Sequence, residues 1–168
     1  VNDIAAVAGL SPRTFFRYFR AKDDLVFDWM DRQGDFMLPA LRARPLRESP
    51  LQAMMEAFLL LADEHEHHAK QAHFRSQLIF ETPSLSARFY EDQAKWGGQM
   101  AEALMHHAKN AAERYTLRVQ VSIAITAYVF AMRSWAGGAK GGSPRPWVER
   151  AFAAVNDASM SATASASR

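Results

Sequence analysis

Apolar residues recur every three or four positions along most of this chain. No segment alternates apolar with polar between turn residues, so the predicted elements are helices. A short one runs from Asn2 or Asp3 to Ala8, with Ile4, Ala5 and Ala8 on one face. Gly9 stands just past its end, where a residue without a Cβ turns the chain most easily. Ser11 then caps a second short helix that has Pro12 at its first position and reaches about Phe19. A long helix starts between Ala21 and Asp24 and heads towards Ala43, with Pro39 expected to kink or end it. Arg44 to Pro50 reads as a linker, and Ser49 caps the next helix, whose broad apolar face carries Leu51, Met54, Met55, Phe58, Leu59, Leu61 and Ala62. It ends near His67. A shorter helix, Lys70 to Phe80, is broken by Thr82-Pro83-Ser84, and a long one then carries Leu85, Phe89, Trp96, Met100 and Leu104. Ala111 to Tyr115 reads as a turn, Thr116 to Ala136 as the most apolar helix, Gly137 to Pro146 as a loop, and Trp147 to Asn156 as the last helix. The Ser/Ala-rich tail after Asp157 is expected to fray.

The pattern therefore predicts an all-α protein in two parts. Residues 1–43 form a unit of short helices with a connecting helix, and residues 44–168 form an antiparallel bundle of longer ones.

Within the first part, "GLSPRTFFRYFRAKDDL" crowds aromatics and arginines beside a glycine turn. A short helix, a Gly-containing turn and a second short helix make a helix-turn-helix, whose second helix enters the DNA major groove. Helical spacing turns Phe15 and Phe19 inward with Ile4, Ala5, Ala8 and Leu10, and leaves Arg13, Thr14, Phe16, Arg17 and Tyr18 outward. Arg forks onto guanine, Thr and aromatic carbons touch a thymine methyl, and a Tyr hydroxyl binds phosphate. Lys22, at the start of the next helix, joins that helix's amides on a phosphate. On pattern alone the competing reading is a solvated amphipathic hairpin.

Composition narrows the classes. The 168 residues carry a net charge of +2, too small an excess to imply a polyanion partner without regard to where the charges lie. Fifteen of the twenty basic residues are Arg, which favours forked contacts to phosphate or carboxylate. There is no cysteine, which removes disulfides, thiol nucleophiles and Cys-ligated zinc and suits a cytoplasmic protein. The most apolar stretch, Val119 to Trp135, is interrupted by Gln120 and Arg133 and is short for a bilayer, so no membrane partner is expected.

"DIAAVAGLSPRTFFRYFRAKDDLV" resembles the DNA-binding signature of the TetR family of bacterial transcriptional regulators, with Gly9, Leu10, Ser11, Phe15, Tyr18, Phe19, Lys22 and Leu25 in order. The resemblance implies that Arg13, Thr14, Phe16 and Arg17 face bases and backbone, and that Tyr18 and Lys22 contact phosphate. It also implies a further helix bracing the motif, which is expected to precede Val1.

For the remainder the resemblance implies a homodimer and a ligand cavity. A two-fold dimer doubles the DNA site. Val121, Ile125, Tyr128, Met132 and Trp135, with Val148 and Phe152, are the expected dimer interface, against ordinary intrachain core as the alternative. Met55, Phe58, Phe74, Phe89, Trp96, Met100 and Tyr128 are the expected lining for a small, apolar or acyl-type effector, since Met and aromatics adapt to apolar molecules. A packed core is again the alternative. The expected partners are thus an operator in double-stranded DNA, a small-molecule effector and a second copy, with no cofactor.

The segment "DEHEHHAKQAH" offers a rival function. Glu64 shares a helix face with His67 and with His68, and two such ligands can hold Zn²⁺ or Ni²⁺. A solvated helix C-terminus, where His is favourable, explains the same residues. His65-Glu66 is followed by His67 and His68, so the zinc-hydrolase spacing His-Glu-x-x-His is absent. With no Gly-rich phosphate loop and no Gly-x-Ser-x-Gly elbow either, an enzyme is not expected.

Overall fold

The structure is a computed structural model that describes residues 23–138 and 142–166. Arg13, Thr14, Phe16, Arg17, Tyr18 and Lys22, the expected DNA contacts, lie outside the described residues. Among the described residues six helices follow in order: α1 (Asp24–Arg42), α2 (Pro50–His67), α3 (Ala69–Glu81), α4 (Pro83–Ala103), α5 (Ala111–Ala136) and α6 (Arg145–Ala166), with a 3₁₀ turn at Met105–His107. The chain divides into two compact units, Val1–Asp35 and Phe36–Arg168. The division falls inside α1.

Local chemistry explains the starts of three helices. Ser49 accepts a hydrogen bond on its Oγ from the Gln52 amide at 3.2 Å, with Pro50 beginning α2. Pro83 begins α4. Pro39 does not end α1, which continues to Arg42. The stretch read as a turn, Ala111 to Tyr115, is the first turn of α5. Asn110 Oδ1 accepts from the Glu113 amide at 2.9 Å, and the Glu113 carboxylate reaches back to the Lys109 amide at 2.7 Å and to Asn110 Nδ2 at 2.8 Å. This is a reciprocal cap of the capping-box kind. Asn110→Ala is expected to lower the stability of the bundle by about 0.5–2 kcal/mol; an unchanged urea midpoint would show that the cap contributes nothing. At the other end α6 runs on to Ala166, beyond the expected limit, because Ser and Ala carry little cost in a helix.

In the second unit α5 is the central helix, packed against α2, α3, α4 and α6. Its inward stripe of Leu117, Val121, Ala124 and Ala131 meets Met54, Phe58 and Leu61 of α2 and Val148 and Phe152 of α6. Met37 and Leu41 from the end of α1 are fully buried in the same core. A smaller cluster joins Ala72 of α3 to Met132 and Trp135. The α5–α6 corner is tied twice. Trp135 Nε1 donates to the Gly142 carbonyl at 3.2 Å, and Arg145 Nη1 donates to both oxygens of Asp63 at 2.7 and 2.6 Å. Partial exposure of that ion pair keeps its worth small, and its role is to register α6 on the end of α2.

Candidate effector and subunit-contact surfaces

The helix α5 is apolar on two sides. One side is the core stripe. The other carries Tyr115, Val119, Ile123 and Phe130, and the exposure of Tyr115 (73%) and Phe130 (69%) is far above what burial would leave. The intervals of four, four and seven residues put these side chains on one helical face. With Trp147, Ala151 and Val155 of α6 they wall an open groove of about 980 Å³. Arg118 and Arg150 are the charged residues of its lining, and the Arg150 guanidinium lies 5.9 Å from the Trp147 ring centre. Monomeric soluble proteins rarely leave so large an apolar face uncovered, and such a face marks a contact site.

That face differs from the one expected. The structure places Val121, Met132, Trp135, Val148 and Phe152 within the chain's own interior, and packs Ile125 and Tyr128 against the same core. The open face lies on the same two helices, α5 and α6, as the expected contact residues. Periodicity reports that α5 has apolar positions all round, and only the packing of α2, α3 and α4 decides which of them are covered from within.

The expected effector lining is also packed rather than open. The Phe58 and Tyr128 rings stack at 4.2 Å with planes 8° apart, and Phe152 closes on Phe58 at 6.3 Å. Burial pushes the Tyr128 phenol pKa well up. Met100 is buried beside them, and Met55 and Trp96 pack on the same core. Phe89 instead joins Phe80 and Tyr90, edge to face at 5.4 and 5.6 Å. Phe74 points outward, 66% exposed. The seven therefore do not surround one space. Five of them, Met55, Phe58, Trp96, Met100 and Tyr128, pack in or on the core.

The histidines divide in the same way. His65 is buried, while Glu64, Glu66, His67 and His68 are exposed. His73 is buried on α3, its ring 4.9 Å from Trp135 and nearly perpendicular, with no hydrogen-bond partner for either nitrogen. Among the described residues no three His, Asp or Glu side chains gather as a metal site. His106 and His107 lie in the 3₁₀ turn with rings 4.4 Å apart, and burial first, then the neighbouring His106, lowers the His107 pKa. His106 is exposed and Nδ1 lies 3.1 Å from the Ala103 carbonyl.

Comparison with known proteins decides the family. Residues 1–28 match the model of bacterial regulatory proteins of the tetR family, and residues 48–160, well over half the chain, match the model described as the MftR C-terminal domain. The chain belongs to the TetR family. It is also similar to the HTH-type transcriptional regulator TcmR of Streptomyces glaucescens, at 31% identity over 110 residues. That alignment covers 62% of this chain and 49% of TcmR, so it spans about half the length of that relative. This family is one of regulators, in keeping with a sequence that carries no catalytic motif. In this TetR-family chain α5 is long and apolar enough to cross a bilayer by length and composition. The two-sided burial pattern accounts for that apolarity, because one side meets the core and the other lines the open groove.

Proposed function

We propose that the protein is a dimeric, cytoplasmic, DNA-binding transcriptional regulator, a repressor that a small and largely apolar molecule releases from a palindromic operator. The observation that carries this reading is the open apolar face of α5 and α6. A single helix-turn-helix reads few base pairs, and a two-fold dimer brings two of them to a palindromic operator. A symmetric contact uses the same patch on both copies, which suits one continuous groove better than scattered apolar residues. The match of residues 1–28 to the family's DNA-binding model supports the role given to the opening motif.

Control by a ligand requires that it bind the DNA-competent and released states with different affinity. The helix α1 contains the division between the two units, and its last turns are buried in the second unit's core through Met37 and Leu41. It is the segment through which a change in the bundle would reach the motif.

The test is operator binding by the full-length protein, with operators selected from random palindromes. Arg17→Ala is expected to weaken specific binding by about 1–3 kcal/mol, or roughly 5- to 150-fold, as the loss of one forked base contact does. Binding to unrelated DNA should fall far less. Equal affinity of the variant and the parent for the selected operator would remove Arg17 from the reading helix.

A further inference from the structure

A second, smaller groove of about 350 Å³ runs between α4 and α5. Tyr90, Gln93, Gly97 and Gly98 line it from α4, and Arg118 and Ile125 from α5. We propose that this groove binds a small organic monoanion with a flat apolar body, the charge held by Arg118. The proposal rests on the reading of the protein as ligand-controlled, and moves the effector site from the packed core to this groove.

Charge is the first reason. Arg118 forms no ion pair with a described residue, and neither groove that it lines contains an acidic side chain. Asp92, on the neighbouring stretch of α4, is already engaged by Lys95 at 3.1 Å and Arg88 at 3.7 Å. The guanidinium is a fork whose geometry matches a carboxylate, and here the fork is empty. The hydroxyls of Ser122 and Thr126 donate back to their own helix, to the Arg118 and Ser122 carbonyls at 3.0 and 2.9 Å. Arg118, with Gln93 and the Tyr90 hydroxyl, is left to supply donors to an anion.

The second reason is the floor. Gly97 and Gly98 lie in the interior of a 21-residue helix, where each costs about 1 kcal/mol relative to Ala. Gly97 is explained within the chain, because a Cβ there would come to 3.3 Å from Ile125 Cδ1. Gly98 is not, since a Cβ there would meet nothing within 4 Å. A glycine in mid-helix that faces open space admits close approach by something outside the chain. The bare backbone at 97–98 makes a flat surface suited to a planar ring, with Ile125 as its apolar neighbour. The volume lies at the lower end of ordinary ligand sites.

Position is the third. Arg118, Ser122 and Thr126 line this groove and the large apolar one alike. A ligand on Arg118 therefore sits at the edge of the proposed subunit contact, where a change in that side chain is felt by both.

The experiment is calorimetric titration of the full-length protein with 2-naphthoate, and with 2-naphthol as the neutral counterpart. The expected result is saturable binding of naphthoate at one site per chain, at least tenfold weaker in Arg118→Gln and in Gly98→Leu, and intermediate in Arg118→Lys, which keeps the charge but not the fork. Naphthol should bind at least tenfold more weakly than naphthoate. Gly98→Leu puts a branched side chain on the groove floor from a Cβ that meets nothing within 4 Å, and circular dichroism checks that all three variants are folded. Absence of naphthoate binding, equal binding by all variants, or equal binding of naphthol overturns the proposal. Operator release is measured in parallel. Arg118-dependent binding that leaves operator affinity unchanged upholds the site and overturns the reading of the protein as ligand-controlled.

Discussion

Phe130→Glu is expected to convert the protein from dimer to monomer in sedimentation while leaving the fold of each chain nearly as stable as before. In the isolated chain Phe130 is 69% exposed, so removing it takes little from the core. Across a two-fold contact the same residue meets its partner's apolar face, and a carboxylate placed there is desolvated without a counter-charge. Aromatic anchors at the centre of interfaces contribute 2 kcal/mol or more each, so the dissociation constant should rise by a factor of about 30 or more. Symmetry doubles the effect, because each copy carries the substitution. Operator affinity should fall with dimerisation. The control is Tyr128→Arg. Tyr128 is stacked on Phe58 inside the chain, so an arginine there is expected to unfold the bundle rather than to separate folded subunits. A Phe130→Glu protein that sediments as a dimer would move the subunit contact away from α5 and α6.

The contrast between Phe130 and Tyr128 shows what the sequence carried and what it did not. Helix positions follow from apolar spacing, Ser49-Pro50 and Thr82-Pro83, and among the described residues the order of helices is as those signals predict. The motif at Gly9 to Leu25 is specific enough to carry the family resemblance by itself. The face of α5 was not legible. Both Val121 and Val119 are apolar, and so are both Tyr128 and Phe130, yet the first of each pair packs inward and the second is exposed. A helix with apolar residues all round has little amphipathic signal, and which side is covered depends on neighbours distant in sequence. The packing of the expected effector lining was not legible for a related reason. Met100 and Phe58 have the chemistry of a cavity wall and of a core, and only the 4.2 Å stack of Phe58 on Tyr128 decides between them. The cap at Asn110 was a different case. Asn followed three residues later by Glu was present in the sequence, and the helix start could have been read from it. Arg118 and Gly98 gave no signal at all alone. Their meaning comes from lining one groove, with no acid in it and no side chain near the missing Cβ.

Acid is expected to destabilise the bundle through His65. This side chain is buried on α2, and desolvation, helped by the positive charge of Arg75, lowers its pKa from 6.5 to about 4. Above pH 6.5 the imidazole is neutral both folded and unfolded, and its full contribution to stability is present. As pH falls below 6.5 the unfolded chain takes up the proton and the folded chain does not, so stability is lost progressively until about pH 4, where the folded form titrates too. The difference of two to three pKa units corresponds to about 3 kcal/mol across the whole window, and about 2 kcal/mol of it is lost by pH 5. For a protein of marginal stability that is a large share. Urea midpoints at pH 7.5 and pH 5 measure the effect, in the parent and in His65→Leu. The leucine fills a similar buried volume and cannot be protonated, so the variant should lose less stability than the parent between the two pH values, by about 2 kcal/mol. Parallel losses in the parent and in His65→Leu would mean that His65 accepts a proton as readily folded as unfolded, and the acid sensitivity would then belong to another group.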